Sequence, residues 1–270
     1  MNVWIIYDSQ RYEKNIVFAE KLVTAFTKRN IDSKIKIINK ISDINEPLPK
    51  IAVLRTTNLS LTKYLEQHGV KTYNNSFVSE ITNDKYKTYM YLKENDIPLA
   101  NTELIFKDNY KQKCFVFPKV VKSVDGHGGN EVFMVNSFDE IENCFNKTNK
   151  DRLIIQEVVP DIGKDLRVYV IKNKIICGML RSSSKDFRSN FSLGGSCSVY
   201  TLSAKEKELV DKIANLFDFG LVGIDFIFKN NQLILNEIED VVGCRMIYSV
   251  TNIDIVQLYV DYIISNHINI

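Results

Sequence analysis

Apolar positions follow two different periods in the first 75 residues of the chain. Residues 3–7 form a short continuous apolar run, which is typical of a buried strand. Between residues 19 and 26 the apolar positions recur every three or four residues, which predicts a helix with one buried face. Similar patterns predict strands over residues 34–38, 51–54 and 70–73 and a helix over residues 61–68. Because strands and helices alternate, we expect a small parallel sheet with helices on both faces.

The pattern changes after residue 76. The segment Asn83-Asp84-Lys85 is placed to cap a helix that runs to about Asp96 and is ended by Pro98. The next elements are strands over residues 117–123, 131–135 and 153–157 and a helix over residues 138–145. From residue 165 the order is strand, strand, loop, helix, strand, strand, helix, and the first of these helices begins with a capping box of Ser203 and Glu206. These segments predict α+β layers rather than a second doubly wound sheet.

Composition and charge exclude several classes of protein. The chain has 270 residues, of which 45% are hydrophobic and 25% charged, and its 35 basic and 33 acidic residues leave a net charge of +2. This balance does not fit a nucleic-acid-binding tail, and no apolar run is long enough to span a membrane. The N-terminal residues lack the basic region of a signal peptide. Five scattered cysteines and three separate histidines argue against a zinc site and favour a cytoplasmic protein with reduced thiols.

The first candidate site is a glycine-rich loop after a strand that ends on Lys122. Gly126, Gly128 and Gly129 follow within seven residues of this lysine. Glycines allow backbone N–H groups to approach an anion closely, and the lysine supplies a point charge for phosphate. A glycine hairpin without a ligand explains the same residues equally well. A Walker motif is excluded, because no Gly-Lys-Ser/Thr sequence follows the glycines.

The second candidate site consists of acidic residues within two apolar strands, Gly223–Phe228 and Leu233–Glu239. Glu237 and Glu239 share one face about 6–7 Å apart, because side chains alternate along a strand. A two-residue turn would pair Asp225 with Asn236, whereas an odd-length loop or a bulge would pair it with Glu237 and gather three carboxylates. Such oxygen ligands suit magnesium that bridges nucleotide phosphates. The alternative is an edge strand with solvated acids.

A third candidate site is a polar segment that includes Arg181 and residues 185–195. Its cationic and amide side chains precede a double glycine, which is typical of a mobile flap that closes over phosphate. A solvated turn is the alternative. In the N-terminal region, residues 55–58 follow the carboxyl end of a strand, where open α/β sheets bind ligands, although a polar turn explains them as well.

Taken together, these motifs resemble one family. From about Asn83 onward the chain is similar to the ATP-grasp enzymes, and most of all to the glutamate ligases that modify the C-terminal tails of ribosomal proteins. The matching segments, in the order of the family, are Thr82–Lys85, Pro118–Lys122 with the glycine loop, Ile155–Val159, Gly163–Val168, Asp186–Asn190 with Gly194 and Gly195, and Gly223, Asp225 and Glu237.

The resemblance implies ATP as the nucleotide and magnesium, or manganese, as the metal. The implied nucleotide contacts are Lys85, Lys122, Gly126, Gly128 and Gly129 at the phosphates, Glu157 and the backbone of Val158 at the adenine edge, and Asp165 at the ribose. Arg188, Ser189 and Asn190 would also touch the phosphates, and Arg188 would be the catalytic residue that stabilises charge on the transferred group. The implied metal ligands are Asp225, Glu237 and Glu239.

Two positions depart from the Glu-x-Asn-x-x-Pro-Gly pattern of the family. Glu239 replaces the neutral asparagine that is normally the third metal ligand, and no proline precedes Gly243. The loop that follows commonly faces the acyl substrate in the family. Cys244 and Arg245 are therefore candidates for reading a different carboxylate, and an exposed surface arginine is an equal explanation for Arg245.

We therefore expect an ATP-grasp fold, with an N-terminal α/β domain over residues 1–76 and two α+β lobes over residues 77–160 and 161–270. The expected function is ATP-dependent ligation of a carboxylate to an amine through an acylphosphate, with amino acids or peptides as substrates. The alternatives are an ATP-binding protein without ligase activity, such as a sensor or a degenerate member, and a phosphotransferase. We expect no nucleic-acid or membrane partner, and the sequence leaves a homo-oligomer open.

Overall fold

Three sheets organise the protein. The structure is a computed structural model that describes residues 2–126, 128–129, 131–183 and 196–267. Among these residues no helix is both long enough and apolar enough to cross a membrane. The sheets occupy successive parts of the chain and fall within the three predicted ranges. That each range is a separate domain remains a proposal.

The first sheet is parallel, with the strand order β2-β1-β3-β4. Its strands are β1 (Asn2–Tyr7), β2 (Asp32–Ile37), β3 (Ile51–Arg55) and β4 (Lys71–Tyr73), and its helices are α1 (Ser9–Thr27) and α2 (Leu59–Gln67). Residues of β1 alternate between two apolar clusters: Ile5 packs with α1, whereas Trp4 and Ile6 pack with α2. The predicted parallel sheet with helices on both faces is confirmed.

Two helices lead from the first sheet to the second: α3 (Ser76–Thr82) and α4 (Lys85–Glu94). The side chain of Asp84 accepts hydrogen bonds from the backbone N–H groups of Tyr86 and Lys87, so that the predicted cap fixes the start of α4. Val78 of α3 and Leu92 of α4 pack in the apolar cluster of the third sheet, so this part of the range 77–160 is buried against the C-terminal lobe.

The second sheet is antiparallel, with the strand order β5-β8-β6-β7. Its elements are β5 (Thr102–Phe106), β6 (Lys119–Ser123), β7 (Val132–Val135), β8 (Arg152–Glu157) and helix α5 (Phe138–Thr148). A compact apolar cluster of its own lies between α5 and this sheet.

The third sheet is antiparallel, with the strand order β11-β10-β9-β12-β13. Its elements are β9 (Lys164–Ile171), β10 (Lys174–Ser182), β11 (Ser196–Tyr200), β12 (Leu221–Lys229), β13 (Gln232–Glu239) and helices α6 (Ala204–Ala214), α7 (Arg245–Val250) and α8 (Ile255–Ser265). Ser203 and Glu206 form the predicted capping box of α6.

The two faces of the third sheet differ. Leu166, Val168 and Val170 of β9 point toward α6 and a continuous apolar cluster. On the opposite face β9 presents Asp165 and Arg167, and then Tyr169, which packs with α1 and α8 in the core that joins the third sheet to the first. The polar end of this face is the part of the sheet that forms the candidate active site.

Candidate active site

A cleft between the second and third sheets collects most of the predicted site residues. The predicted residues that line it are Lys85, Lys122, Gly126, Gly129, Glu157, Val158, Asp165 and Glu237. Apolar side chains from both sheets complete its walls: Val120, Val132, Met134, Val159, Ile162 and Ile227. The sequence motifs did not single out these apolar residues, because apolar alternation alone does not tell a cleft wall from a core.

The hairpin of β12 and β13 gathers the three predicted carboxylates. Its turn is the two-residue type, with Asn230 and Asn231 at φ 53° and 61°, as a hairpin turn of this length requires. A bulge next to Asp225 then shifts the register, so that Asp225 pairs with Glu237. Oxygen atoms of Asp225, Glu237 and Glu239 lie within 4.8 Å of one another. The bulge, rather than an odd-length turn, produces the predicted three-carboxylate cluster.

Two arginines of the third sheet neutralise this cluster. Arg167 donates two hydrogen bonds of 2.7 Å to Asp225 and lies 2.8 Å from Glu239. Arg181 donates to Asp225 at 2.7 Å and also binds Asp165. The strand β13 is an edge strand, as the alternative interpretation required, but its acids are paired with buried cations and are not simply solvated.

Arg181 belongs to the third predicted segment, but the structure places it on β10, where it pairs with acids of the sheet instead of lying in a flap. Arg167 stands two residues after Asp165, and alternation therefore puts both side chains on one face. The register places Arg167 opposite Asp225 and Arg181 opposite Asp165. These pairings join distant parts of the chain, so the motifs alone could not indicate them.

Burial and neighbouring charges act in opposite directions on the acids. Burial opposes ionisation of Asp225, but Arg167 and Arg181 outweigh it and hold the pKa of this carboxyl below its ordinary value. Burial likewise opposes ionisation of Glu237, yet Lys85 brings its pKa below the usual range. The pKa of Glu239 is raised, because burial and the charges of Asp225 and Glu237 outweigh Arg167.

Two lysines face the acids from the other side of the cleft. The ammonium of Lys85 lies 3.2 Å from Glu237 and donates to the carbonyl of Gly126, so that it ties the glycine loop to the carboxylate cluster. Lys122 donates to the side-chain oxygen of Asn236 at 2.8 Å. Burial lowers the pKa of Lys122 to about 8, although Glu237 opposes this shift.

The predicted adenine edge lies at the end of β8. Glu157 lines the cleft, but its carboxylate accepts hydrogen bonds from Lys229 at 2.7 Å and from the backbone N–H of Asn101 at 3.0 Å. The hydrogen bond from Lys229 is the largest cause of a pKa below the ordinary value of a glutamate. The side chain of Glu157 is thus occupied, and its backbone N–H donates to the carbonyl of Asn101, so the backbone of Val158 is the better candidate contact for a base.

The glycine loop needs its glycines for two different reasons. A Cβ atom at Gly126 would lie 2.7 Å from the carboxylate of Glu131, whereas Gly128 and Gly129 have φ values of 70° and 77°. Gly126 and Gly129 line the cleft, and Gly128 lies in the same loop without lining it. The predicted contacts Arg188, Ser189 and Asn190, with the rest of the predicted flap, lie outside the described residues.

The donor set fits the metal that the motifs imply. Three carboxylates supply hard oxygen ligands close together, which is the chemistry that magnesium prefers, and manganese accepts the same donors. Lys85 and Lys122 line the same cleft as Glu237, and their charges suit phosphate groups bound there. The geometry therefore supports a site for a nucleotide with a divalent cation.

Comparisons with known proteins agree with this geometry. The profile of the RimK-like ATP-grasp domain matches residues 82–263. The chain is 32% identical to the protein MG011 of Mycoplasma genitalium, over 97% of this chain and 92% of that one. It is 30% identical to a probable alpha-L-glutamate ligase of Shewanella pealeana over 80% of this chain, which spans 49% of that longer protein.

A solved structure shows the same fold. The RimK domain ATP-grasp protein of Sphaerobacter thermophilus superposes with a TM-score of 0.75 at 17% identity, over 97% of this chain and 99% of that one. The family profile extends from the helix before Lys85 to α8 and so includes every predicted metal ligand. The chain therefore belongs to the RimK-like ATP-grasp family.

Proposed function

We propose that this protein is a ligase that uses ATP and magnesium to join the carboxylate of one amino acid or peptide to the amine of another. Membership of the RimK-like ATP-grasp family supports ATP-dependent carboxylate–amine ligation. The observation that carries the proposal is the cleft itself, where Glu237 of the three-carboxylate cluster lies beside two lysines between apolar walls.

Each part of the cleft has a role in this reaction. Asp225, Glu237 and Glu239 hold the metal, which when bound neutralises negative charge on the phosphates of ATP. Lys85 and Lys122 bind the phosphates, and the glycine loop covers them. Arg188, from its sequence position, stabilises charge on the transferred phosphoryl group. Holding both reactants in line supplies much of the rate enhancement, because phosphoryl transfer needs positioning and charge neutralisation more than a base.

The proposed ligation has two steps, the formation of an acylphosphate and the formation of the amide bond. A carboxylate oxygen of the first substrate attacks the γ-phosphorus, the bond to the β-phosphate oxygen breaks, and ADP leaves. The amine of the second substrate then attacks the acyl carbon of the acylphosphate, and inorganic phosphate leaves as the amide bond forms. One proton of the amine is released to solvent.

The amine substrate that we propose is L-glutamate. Several relatives are named as probable alpha-L-glutamate ligases, among them the protein of Shewanella pealeana. An acidic amino acid also suits the basic side chains that line a second cavity of the protein, among them Arg55 and Arg245. The carboxylate partner would then be a second amino acid or the C-terminus of a peptide.

ADP release in the presence of paired substrates tests the proposal. We expect Mg-ATP to be turned over when L-glutamate is present with an acceptor carboxylate, and the ligated product to appear in equal amount by mass spectrometry. ATP turnover without a ligated product for any pair would instead indicate a phosphotransferase or an ATPase. ATP binding without turnover would indicate a sensor.

A further inference from the structure

A second cavity lies beside the candidate active site, between the first and third sheets. It has a volume of 360 Å³ and is bounded by the first half of α1, the end of β3 and the start of α7. The wall formed by α1 is kinked, because Asn15 has non-helical φ and ψ angles of −135° and 23° and its side chain donates to the carbonyl of Arg11. No sequence motif of the family includes this wall.

Arg55 is the buried charge of this cavity. Its side chain lies at the end of β3 and is only 3% exposed, with the guanidinium 4.8 Å from the ring centre of Phe18. One nitrogen donates to the carbonyl of Val242 at 2.7 Å, and the buried hydroxyl of Tyr7 is a further polar neighbour of the guanidinium. A buried guanidinium without a paired carboxylate is costly, and a substrate carboxylate in the cavity would supply the opposite charge.

The described part of the chain offers no carboxylate in an ion pair with Arg55. The charge of Arg55 acts on Asp240, but the two residues form no ion pair. The carboxylate of Asp240 already accepts hydrogen bonds from Asn74 and Asn83. Among the described residues, the guanidinium of Arg55 is therefore a buried charge without an ion-paired carboxylate.

The remaining walls also favour an anion. Among the charged residues that line the cavity, four are basic and one is acidic: Lys14, Lys21, Arg55, Arg245 and Glu13. Lys21 is held over the ring of Tyr248 at 4.3 Å, which keeps its charge beside the cavity. Phe18 and Tyr248 give the cavity an apolar wall, against which the carbon chain of a small amino acid substrate can pack.

The cavity is connected to the metal cluster through one loop. Val242, whose carbonyl binds Arg55, follows Glu239 by three residues and packs with Arg167 over Gly223. The next carbonyl, that of Gly243, accepts a hydrogen bond of 2.8 Å from Tyr169 on the same sheet face. A ligand in the cavity would therefore lie beside the cluster at which the phosphates are expected.

We propose that Arg55 is a specificity-determining residue that binds a carboxylate of the amino acid substrate, namely one that takes no part in the reaction. This inference rests on the proposed function, since it assigns one substrate of that reaction to the second cavity. Arg55 acts there as the charged anchor, and the exposed Arg245 and Lys21 contribute positive charge at the rim.

The test compares acid and amide forms of one substrate in the wild-type protein and in Arg55→Gln. L-glutamate, L-glutamine and L-isoglutamine, in which the side-chain or the α-carboxylate is an amide, show which carboxylate Arg55 binds. We expect one of the two amides to have a KM at least tenfold higher than L-glutamate, because a buried charge would lose its partner. In Arg55→Gln the KM for L-glutamate should rise at least tenfold and the difference between acid and amide should disappear, with the KM for ATP unchanged.

Arg29→Gln is the control, since Arg29 lies just after α1, pairs with Asp261 and Gln257 of α8, and does not line the cavity. It should leave every KM unchanged. If Arg55→Gln does not fold, Arg245→Gln replaces it, with a smaller rise in the KM for L-glutamate. Equal KM values for acid and amides in the wild type, or an Arg55→Gln variant in which all parameters fall together, would overturn the proposal.

Calorimetry separates this inference from the proposed function. With a non-hydrolysable ATP analogue and magnesium bound, L-glutamate should bind the wild-type protein at least tenfold more tightly than Arg55→Gln, even if no ligation occurs. If no ligation occurs but the wild-type protein still binds L-glutamate more tightly than Arg55→Gln, the proposed ligase activity is contradicted and the carboxylate site at Arg55 is supported. Identical binding to both proteins would contradict the carboxylate site.

Discussion

Glu239 is the residue at which the site departs from the usual asparagine. Two like charges 4 Å apart cost about 4 kcal/mol at an effective dielectric of about 20, so a third carboxylate needs a neighbouring cation. The structure supplies one, because Arg167 contacts both Asp225 and Glu239. Arg167 offsets part of the extra charge, but burial and the two neighbouring acids still raise the pKa of Glu239, so a bound cation would stabilise its charged form.

Replacement of Glu239 tests whether it binds magnesium. Glu239→Asn should retain ATP binding but raise the magnesium concentration for half-maximal activity several-fold, because an amide oxygen binds the ion less strongly than a carboxylate. Glu237→Ala should abolish turnover while the protein remains folded by circular dichroism. A Glu239→Ala variant with unchanged magnesium dependence and turnover would show that Glu239 is not a ligand.

The lowered pKa of Lys122 predicts that nucleotide binding depends on pH. Burial lowers its pKa to about 8, so the free protein loses this positive charge as the pH rises through about 8. Phosphate favours the protonated form, and ATP binding should therefore take up a proton and weaken above that pH. Calorimetry between pH 7 and 9.5 in two buffers of different ionisation enthalpy measures both effects. Lys122→Met should bind ATP more weakly, with this pH dependence lost; an identical pH profile in the variant would rule out Lys122 as its source.

At the scale of elements, the β12–β13 hairpin and the loop after it control the site. Gly223 allows Val242 and Arg167 to pack directly over β12, since a Cβ atom there would lie 2.6 Å from Val242 and 3.3 Å from Arg167. Gly243, only one residue beyond Val242, has no atom within 4 Å of such a Cβ. The two glycines form a matched pair for substitution.

Gly223→Ala should destabilise the protein by about 1–3 kcal/mol through overpacking and should lower turnover at least tenfold, because it displaces Arg167 from the acids. Gly243→Ala should change neither property appreciably. Urea unfolding and steady-state turnover of both variants provide the measurement. Equal stability and activity of Gly223→Ala and the wild type would show that the loop is not held against β12 in this way.

Local sequence patterns predicted most of these elements but not all. The capping residues Asp84 and Ser203 gave the starts of α4 and α6 correctly, because a cap is a local hydrogen bond. Helices α3 and α7 and strand β5 were not predicted, and the predicted loop before α6 contains strand β11, since elements of five to seven residues carry no clear period. The pairing of Asp225 with Glu237 was only one of two registers that the sequence left open. A two-residue turn without a bulge would instead pair Asp225 with Asn236.

At the scale of the whole molecule, the site depends on how distant strands are aligned. The family motifs indicated Asp225, Glu237, Lys85 and Lys122, since each lies in a recognisable local segment. They did not indicate that Arg167 and Arg181 neutralise Asp225, because that pairing depends on the order β10-β9-β12 within the sheet. Nor did they indicate the cavity around Arg55, whose walls come from both ends of the chain.

Closure of the cleft around a nucleotide should stabilise the whole molecule. Mg-ATP at 100 times its dissociation constant adds about 2.7 kcal/mol to the free energy of unfolding, so the melting temperature should rise by several degrees. Lys122→Met should reduce this rise, because it removes a phosphate contact. An unchanged melting temperature of the wild-type protein at millimolar Mg-ATP would argue against nucleotide binding in the cleft.

The central claim is that a substrate carboxylate attacks ATP, and isotope transfer tests it most directly. The acceptor is supplied with ¹⁸O in its reacting carboxylate, together with L-glutamate and Mg-ATP, and the released inorganic phosphate is analysed by mass spectrometry. The account predicts one ¹⁸O atom in each phosphate, because that oxygen bridges the acyl carbon and phosphorus in the acylphosphate. Ligated product accompanied by unlabelled phosphate would contradict it.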